Sequence, residues 1–302
     1  MKKFLFKTTL FLAIIACLDM IFGKAYNYMF GHAKGGMTYR DYYMNNNLKT
    51  DILLAGSSRC VHHYNPQIIS DSTNQQCYNS GQAGNGIILL YGRLQMLKRQ
   101  SMPKLIIYDV NPDYDYLLGV DNHQYLTWLK PYYDINEVKD IILSVDPTEI
   151  IKMKSNMYRY NSRFLEIFVD FIHPIIESVK DNGFEPTPGE MDKSKIKGTT
   201  YKKEEYHLDS LKCQYMESYA EEAGKGLVFC VSPIWYGMDP EKLVYLKDLC
   251  RKKNIVLIDY SNHPKYVNND KFFKDGYHMN ARGADEYTRD LIKELRYRNI
   301  IK

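Results

Sequence analysis

Past residue 22 the sequence has no apolar run long enough to cross a bilayer, and a mean hydropathy of −0.44 excludes a polytopic membrane protein. No internal repeat marks a solenoid or propeller. Eighteen Gly and 11 Pro without a period exclude a collagen-like or low-complexity chain. No Cys-x-x-Cys or Cys/His spacing suggests a metal, and His123, His173 and His207 share no ligand spacing. No metal and no cofactor is therefore expected. Of six cysteines, Cys17 lies in the N-terminal apolar segment. The remaining five, an odd number, cannot form a complete intrachain disulfide framework. Cys77 and Cys230 fall inside strand patterns and read as small buried hydrophobes. The net charge is only +4, and half of it belongs to the first 23 residues, where Lys2, Lys3 and Lys7 face Asp19 alone. The remainder is no footprint for nucleic acid. The chain is instead rich in core-forming residues: 45% hydrophobic and 14% aromatic over 302 positions, ample for a buried core.

The N-terminus carries the first positive signal. Thr8 to Phe22 is apolar except for Thr8, Thr9 and Asp19, behind the basic Met1–Lys7. As a helix, Phe4 to Phe22 extends about 28 Å, enough for the hydrocarbon core. Lys7 can snorkel to the inner surface. Positive charge ahead of the segment keeps its start in the cytoplasm and exports the chain beyond it. Residues 1–23 thus read as a membrane anchor or signal segment, and 24–302 as one exported domain, single-pass on a bacterial cytoplasmic membrane. Two alternatives stay open: a cleaved signal peptide, and a lipoprotein modified at Cys17, since Ile14-Ile15-Ala16-Cys17 resembles a bacterial lipobox. A buried helix of a soluble protein fits the basic flank poorly.

Short apolar runs then alternate with helical patterns. Strands are expected at 51–55, 76–79, 104–110, 226–232 and 254–259. Helices are expected at 86–99, 202–223, 242–253 and 281–298. Near-continuous apolar strands separated by helices imply a parallel sheet covered on both faces. Residues 112–200 form a long insertion, with helical patterns at 136–144 and 149–180 and a Gly/Pro loop at 181–189. No linker marks a second domain, so the insertion reads as a helical subdomain or lid.

In an open α/β sheet, ligands bind beyond the C-terminal strand ends. Four loops there hold chemistry-bearing residues. Gly56-Ser57-Ser58-Arg59 follows the first strand; a serine there is a nucleophile only beside a base, and otherwise a helix N-cap. Asn79-Ser80-Gly81-Gln82-Ala83-Gly84 follows the second and exposes backbone N–H groups, or simply turns tightly. Asp109-Val110-Asn111-Pro112 follows the third; the Asn amide is either a donor or part of an Asn-Pro turn. Asp275-Gly276-Tyr277-His278 precedes the last helix, and Asp three residues before His can hold the imidazole Nδ1. Arg59 either binds a substrate carboxylate or fixes the Ser58 turn through an ion pair. Trp235-Tyr236, after the fourth strand, stacks on a sugar or against the insertion. His62 and His63 compete as bases but have no Asp-x-x partner. The 27 tyrosines are too dispersed to read as a surface.

Taken in order, Gly56-Ser57-Ser58, Asn79-x-Gly81-x-x-Gly84, Asp109-Val110-Asn111 and Asp275-x-x-His278 resemble the blocks of the SGNH (GDSL-type) hydrolase superfamily over residues 51–290. With the N-terminal segment and His62-x-Tyr64-x-Pro66, the chain resembles exported bacterial members associated with polysaccharide O-acetylation. The resemblance implies a flavodoxin-like three-layer α/β/α fold with a parallel sheet, helical insertion and N-terminal transmembrane helix. It implies Ser58 as nucleophile, His278 as base and Asp275 as its orienter. Ser58 N–H, Gly84 N–H and the Asn111 side chain would form the oxyanion hole. Three positions depart from the pattern: Ser57 stands where Asp is usual, Asp109 where Gly is usual, and Pro112 where Asp is often found.

The expected function is a serine-dependent acyl ester hydrolase or O-acyltransferase on O-acetyl groups of a cell-surface glycan. The alternative is a catalytically inactive SGNH-fold protein that binds a glycan or an assembly partner. The expected partners are the acylated glycan or another small ester, and the lipid bilayer. A membrane acyl-transfer partner joins them if the donor is cytosolic.

Overall fold

The structure, a computed structural model, describes residues 1–173, 182–192, 194 and 198–302. Helices α1 (Lys2–His32) and α2 (Gly36–Asn46) come first. Then come β1 (Ile52–Gly56), α3 (Ser58–His63), α4 (Pro66–Thr73), β2 (Cys77–Asn79), α5 (Ile87–Lys98), β3 (Leu105–Asp109) and α6 (Pro112–Asp115). Next are α7 (Leu126–Leu129), α8 (Asn136–Val145), α9 (Glu149–Lys152) and α10 (Phe164–Ile172). The chain ends with α11 (Ser210–Glu222), β4 (Leu227–Val231), α12 (Val244–Lys253), β5 (Val256–Asp259) and α13 (Ala281–Tyr297). Two compact units result: Met1–Asn45 with Asn122–Glu177, and Asn46–Asp121 with Ser178–Lys302. The insertion at 112–200 is therefore divided. Its central part belongs with the N-terminal helix, and its two ends belong with the sheet.

The sheet unit holds five strands, all parallel, in the order β2-β1-β3-β4-β5. This is the flavodoxin-like order, with helices in two layers. In one, α13 packs with α3 and α4; in the other, α11 packs with α5 and α12. Both faces being covered explains why β1 to β4 are buried at every residue. The edge strand β5 is only partly buried. Ile52, Leu54, Ile107, Val228 and Ile258 join Tyr287, Leu291 and Leu295 of α13 in one core. All six cysteines are free thiols, and Cys77 and Cys230 are buried.

Two expected boundaries move for identifiable reasons. The charged helix expected from Lys202 begins only at Ser210. Residues 207–209 lend their backbone to 116–118 instead: Leu118 N–H donates to His207 O (2.9 Å) and Asp209 N–H to Tyr116 O (2.8 Å). Asp209 then caps α11 by accepting from Leu211 and Lys212 N–H. The strand expected from Asn254 starts at Val256, because Asn254 closes α12 in the left-handed region at φ 53°. The helix expected over 149–180 is broken into α9, a 3-10 turn at Tyr158–Arg163, and α10. Its end and Asp181 of the following loop lie outside the described residues.

In the helical unit, α1 continues nine residues beyond the expected segment. It is long and apolar enough to cross a membrane, and none of its most apolar stretch is buried. Asp19 accepts from the Ser155 hydroxyl and from the N–H groups of Asn156 (2.8 Å) and Met157 (3.2 Å). Lower on the chain, Tyr160 donates to Asn27 Oδ1 at 2.8 Å. Arg163 and Asp41 form a buried ion pair at 3.0 Å, with the guanidinium 4.0 Å over the Trp128 ring.

Candidate active site

The topological switch lies between β1 and β3, which are hydrogen-bonded neighbours although β2 separates them in sequence. Gly56 and Asp109 are paired across that boundary. Ser58 and Asn111 each stand two residues further on, so register alone brings them to one crevice. The turn into α3 needs glycine at position 56. With φ at 150°, a Cβ there would meet Asp109 O at 2.7 Å and Cys60 Cβ at 2.9 Å. Ser57 takes the N-cap position without a side-chain capping bond, and its buried hydroxyl has no partner among the described residues. Ser58 is the first residue of the helix, with its hydroxyl left for the crevice.

Ser58 Oγ lies 2.9 Å from His278 Nε2. On the other side of the ring, His278 Nδ1 lies 3.0 Å from Asp275 Oδ2. Asp275 Oδ1 accepts the N–H groups of Tyr277 (2.8 Å) and His278 (2.9 Å), so the loop's own backbone fixes the carboxylate. Burial pushes the Asp275 carboxyl up, but the bonds from His278 and the two N–H groups outweigh it and hold the group at about 2. A depressed carboxylate lends its stabilisation above the unfolded value of 3.8 and loses it only as pH falls through about 2. With Asp275 ionised on Nδ1, the tautomer carries its proton there and leaves Nε2 to accept from Ser58.

Both residues open on a cleft of about 660 Å³, also lined by Arg59, Asn111, Asp113, Tyr114, Tyr201, Tyr206, Tyr236 and Tyr277. Its wall includes both ends of the expected insertion, near 113–120 and 200–206. Asn111 Oδ1 caps α6 through Asp113 N–H at 3.3 Å, which directs the Nδ2 end away from the helix. Asp115 accepts the Asn111 N–H at 2.7 Å and so anchors that residue from below. Gly84, at φ 69°, is not among the residues lining the cleft. The first half of its loop is tied to β1 by Ser80 N–H on Leu54 O and Gln82 N–H on Gly56 O. The turn at Gly84 lies beyond those ties.

Trp235 is also displaced from its expected place. It is 4% exposed, within the sheet's core, and its indole N–H donates to Asp270 at 3.0 Å. Tyr236 takes the cleft-facing position, with its ring 5.1 Å from Trp235. Arg59 touches the cleft but is 3% exposed. It donates to Val110 O and lies 3.6 Å from Asp109, which is the ion-pair alternative of the sequence. His62 Nδ1–H donates to Glu185 O at 2.7 Å. The tyrosines were hidden by their number. Among the cleft tyrosines, Tyr236 after β4, Tyr277 inside Asp275-x-x-His278, and Tyr114 three residues after Asn111 carried a positional signal.

Beneath the cleft lies a second polar cluster. Buried Asp109 accepts from Tyr64 OH (2.7 Å), Ser232 N–H (2.8 Å) and Ser232 Oγ (3.0 Å). Burial pushes its carboxyl up, opposed chiefly by Arg59. The Asp109 carboxylate is thus consumed internally. His63 is fully buried: Nε2 accepts Met279 N–H at 3.0 Å, and Nδ1–H donates to Ser232 Oγ at 3.0 Å. Burial first, then neighbouring His278 and Arg59, lower its pKa well below the usual value and keep it neutral. Asp115 is pushed up to about 7 by burial, against the bonds from Tyr108 OH and Asn111 N–H. Neither a protein-family model nor a curated protein matches the chain.

Proposed function

We propose that the chain is a serine-dependent acyl ester hydrolase or O-acyltransferase of the SGNH type, acting on O-acetyl groups of a cell-surface glycan. The observation that carries this reading is the unbroken run from Ser58 Oγ through His278 to Asp275, opening on a cleft rimmed by tyrosines. Ser58 Oγ attacks the acyl carbonyl carbon while its proton passes to His278 Nε2. Negative charge on the carbonyl oxygen meets the Ser58 N–H at the start of α3 and the Asn111 amide. The intermediate collapses, the C–O bond to the sugar breaks, and His278 returns the proton to the departing hydroxyl. The acyl-serine is resolved by water in an esterase and by a second sugar hydroxyl in a transferase. The tyrosine faces supply flat apolar surfaces of the kind that pyranose rings stack on. In this reading α1 tethers the sheet unit to the cytoplasmic membrane, and the basic Lys2, Lys3 and Lys7 ahead of it support an orientation with that unit outside the cytoplasm.

The test is labelling of the full-length chain by a fluorophosphonate, which reacts only with an activated serine. Labelling is expected, and Ser58→Ala should abolish it together with hydrolysis of p-nitrophenyl acetate, a loss of roughly 10⁴-fold or more. A folded chain that stays unlabelled would instead be a non-catalytic binding protein.

A further inference from the structure

α10 is turned inside out for a helix in water. Its two acids face inward or along the flank: Asp170, 5% exposed, accepts Thr38 N–H at 2.9 Å, and Glu166 accepts from Arg163 at 2.6 Å. Its large apolar residues face out. Phe164, Leu165, Phe168, Val169 and Ile172 are 44–64% exposed. At 3.6 residues per turn these five share one face roughly 140° wide, opposite buried Ile167 and Asp170. Ile150 and Ile151, in α9 of the same unit, add exposed apolar surface. A water-facing helix would show the reverse pattern.

The neighbouring helix indicates what covers this face. α10 packs on α1, where the Phe171 ring meets Tyr28 at 6.0 Å. Residues 155–157, just ahead of the 3-10 turn that leads to α10, are held on Asp19, and Tyr160 within that turn on Asn27, both past the middle of the apolar helix. Tyr26 and Tyr28 come just after the end of the apolar run, where aromatic residues collect at membrane–water boundaries. The exposed face of α10 is therefore continuous with a helix that itself has the length and polarity to enter lipid.

We propose that the outer face of α10 lies in the interfacial layer of the bilayer that α1 crosses, with its five apolar side chains among the upper acyl chains of phospholipids. Turning Asp170 inward and pairing Glu166 with Arg163 on the flank keeps uncompensated charge out of that layer. The proposal rests on α1 spanning the membrane, and it adds a second, lateral attachment that fixes the helical unit against the lipid surface.

The test uses the full-length chain in phosphatidylcholine–phosphatidylglycerol liposomes, with Leu165→Trp and Val169→Trp as reporters at exposed positions. Flotation is measured first; then the added emission, over that of native Trp128 and Trp235, is challenged with acyl-brominated phospholipid and with aqueous iodide. Both variants should float, with blue-shifted added emission that falls ~2-fold or more with brominated lipid and resists iodide. A floating chain whose added emission yields to iodide and ignores brominated lipid overturns the proposal and leaves the anchor intact. Protection from both quenchers means that protein covers the face, a second copy included, and also overturns it. A chain that fails to float overturns the membrane-spanning reading along with the proposal.

Discussion

Ser58, His278 and Asp275 form one hydrogen-bonded run in the sheet unit, and Ser232, His63 and Asp109 form another. The residue types are the same, but the surroundings are opposite. Ser58 and His278 border a cleft, and the Ser58 hydroxyl has its bond to His278 and open space beyond. Ser232, His63 and Asp109 are 0% exposed, and Met279 N–H already occupies the His63 nitrogen that a base would need. The aspartates diverge for the same reason. Backbone and imidazole N–H bonds hold Asp275 low, whereas burial pushes Asp109 up. Chemistry requires a valence left over at an accessible atom; a fully satisfied network of the same groups stiffens the core instead.

The comparison is broken most sharply by Asp275→Asn. The amide oxygen can still accept the backbone N–H groups of Tyr277 and His278, while its NH₂ faces His278 Nδ1. That favours the tautomer protonated on Nε2, which cannot accept the Ser58 proton. Fluorophosphonate labelling should slow roughly 10²–10⁴-fold at neutral pH, with the melting temperature little changed. Equal labelling rates would remove Asp275 from the catalytic assignment.

Ser232→Ala should do the opposite. It leaves His63 Nδ1–H buried without an acceptor and removes one donor from Asp109. Urea unfolding should show a loss of about 1–3 kcal/mol, while Ser58 labels at close to the parent rate. Loss of labelling in a folded variant would mean that the two networks act as one.

Asp115→Asn gives the most specific effect, a change in the pH slope of stability with no change in labelling. A carboxyl held at about 7 in the folded chain, against 3.8 unfolded, takes up a proton on folding between those values. Its contribution to stability is fully present below the unfolded value, declines by up to about 1.4 kcal/mol per pH unit as pH rises toward 7, and is flat above. The asparagine should abolish that slope in denaturation measured from pH 4 to 8. An unchanged slope would assign it elsewhere, with Asp109 the next buried carboxyl to examine.

The strands were legible in the sequence because burial on both faces demands unbroken apolar runs such as Leu105-Ile106-Ile107-Tyr108, all buried. The start of α11 was not legible, because nothing local in 202–208 reports that 207–209 pair with 116–118. Trp235 and Tyr236 show the same limit on one dipeptide. Both are aromatic and both come after β4, but only the folded core around Trp235, with the half-buried Asp270 accepting from its indole, decides which ring is buried.

By itself, the sequence determined the local features of this protein. These are an apolar helix behind a basic start, five strands with helices between them, and a loop in which Asp275 can reach His278 three residues away. Each depends on residues a few positions apart, so periodicity and spacing suffice. Tertiary structure alone decided that Ser58 meets His278 across 220 residues, that Gly84 and Trp235 stay out of the cleft, and that Asp109 is bound within the core. Those outcomes depend on the register of β1 against β3 and on which polar groups find partners first, and neither is encoded in any short stretch of chain.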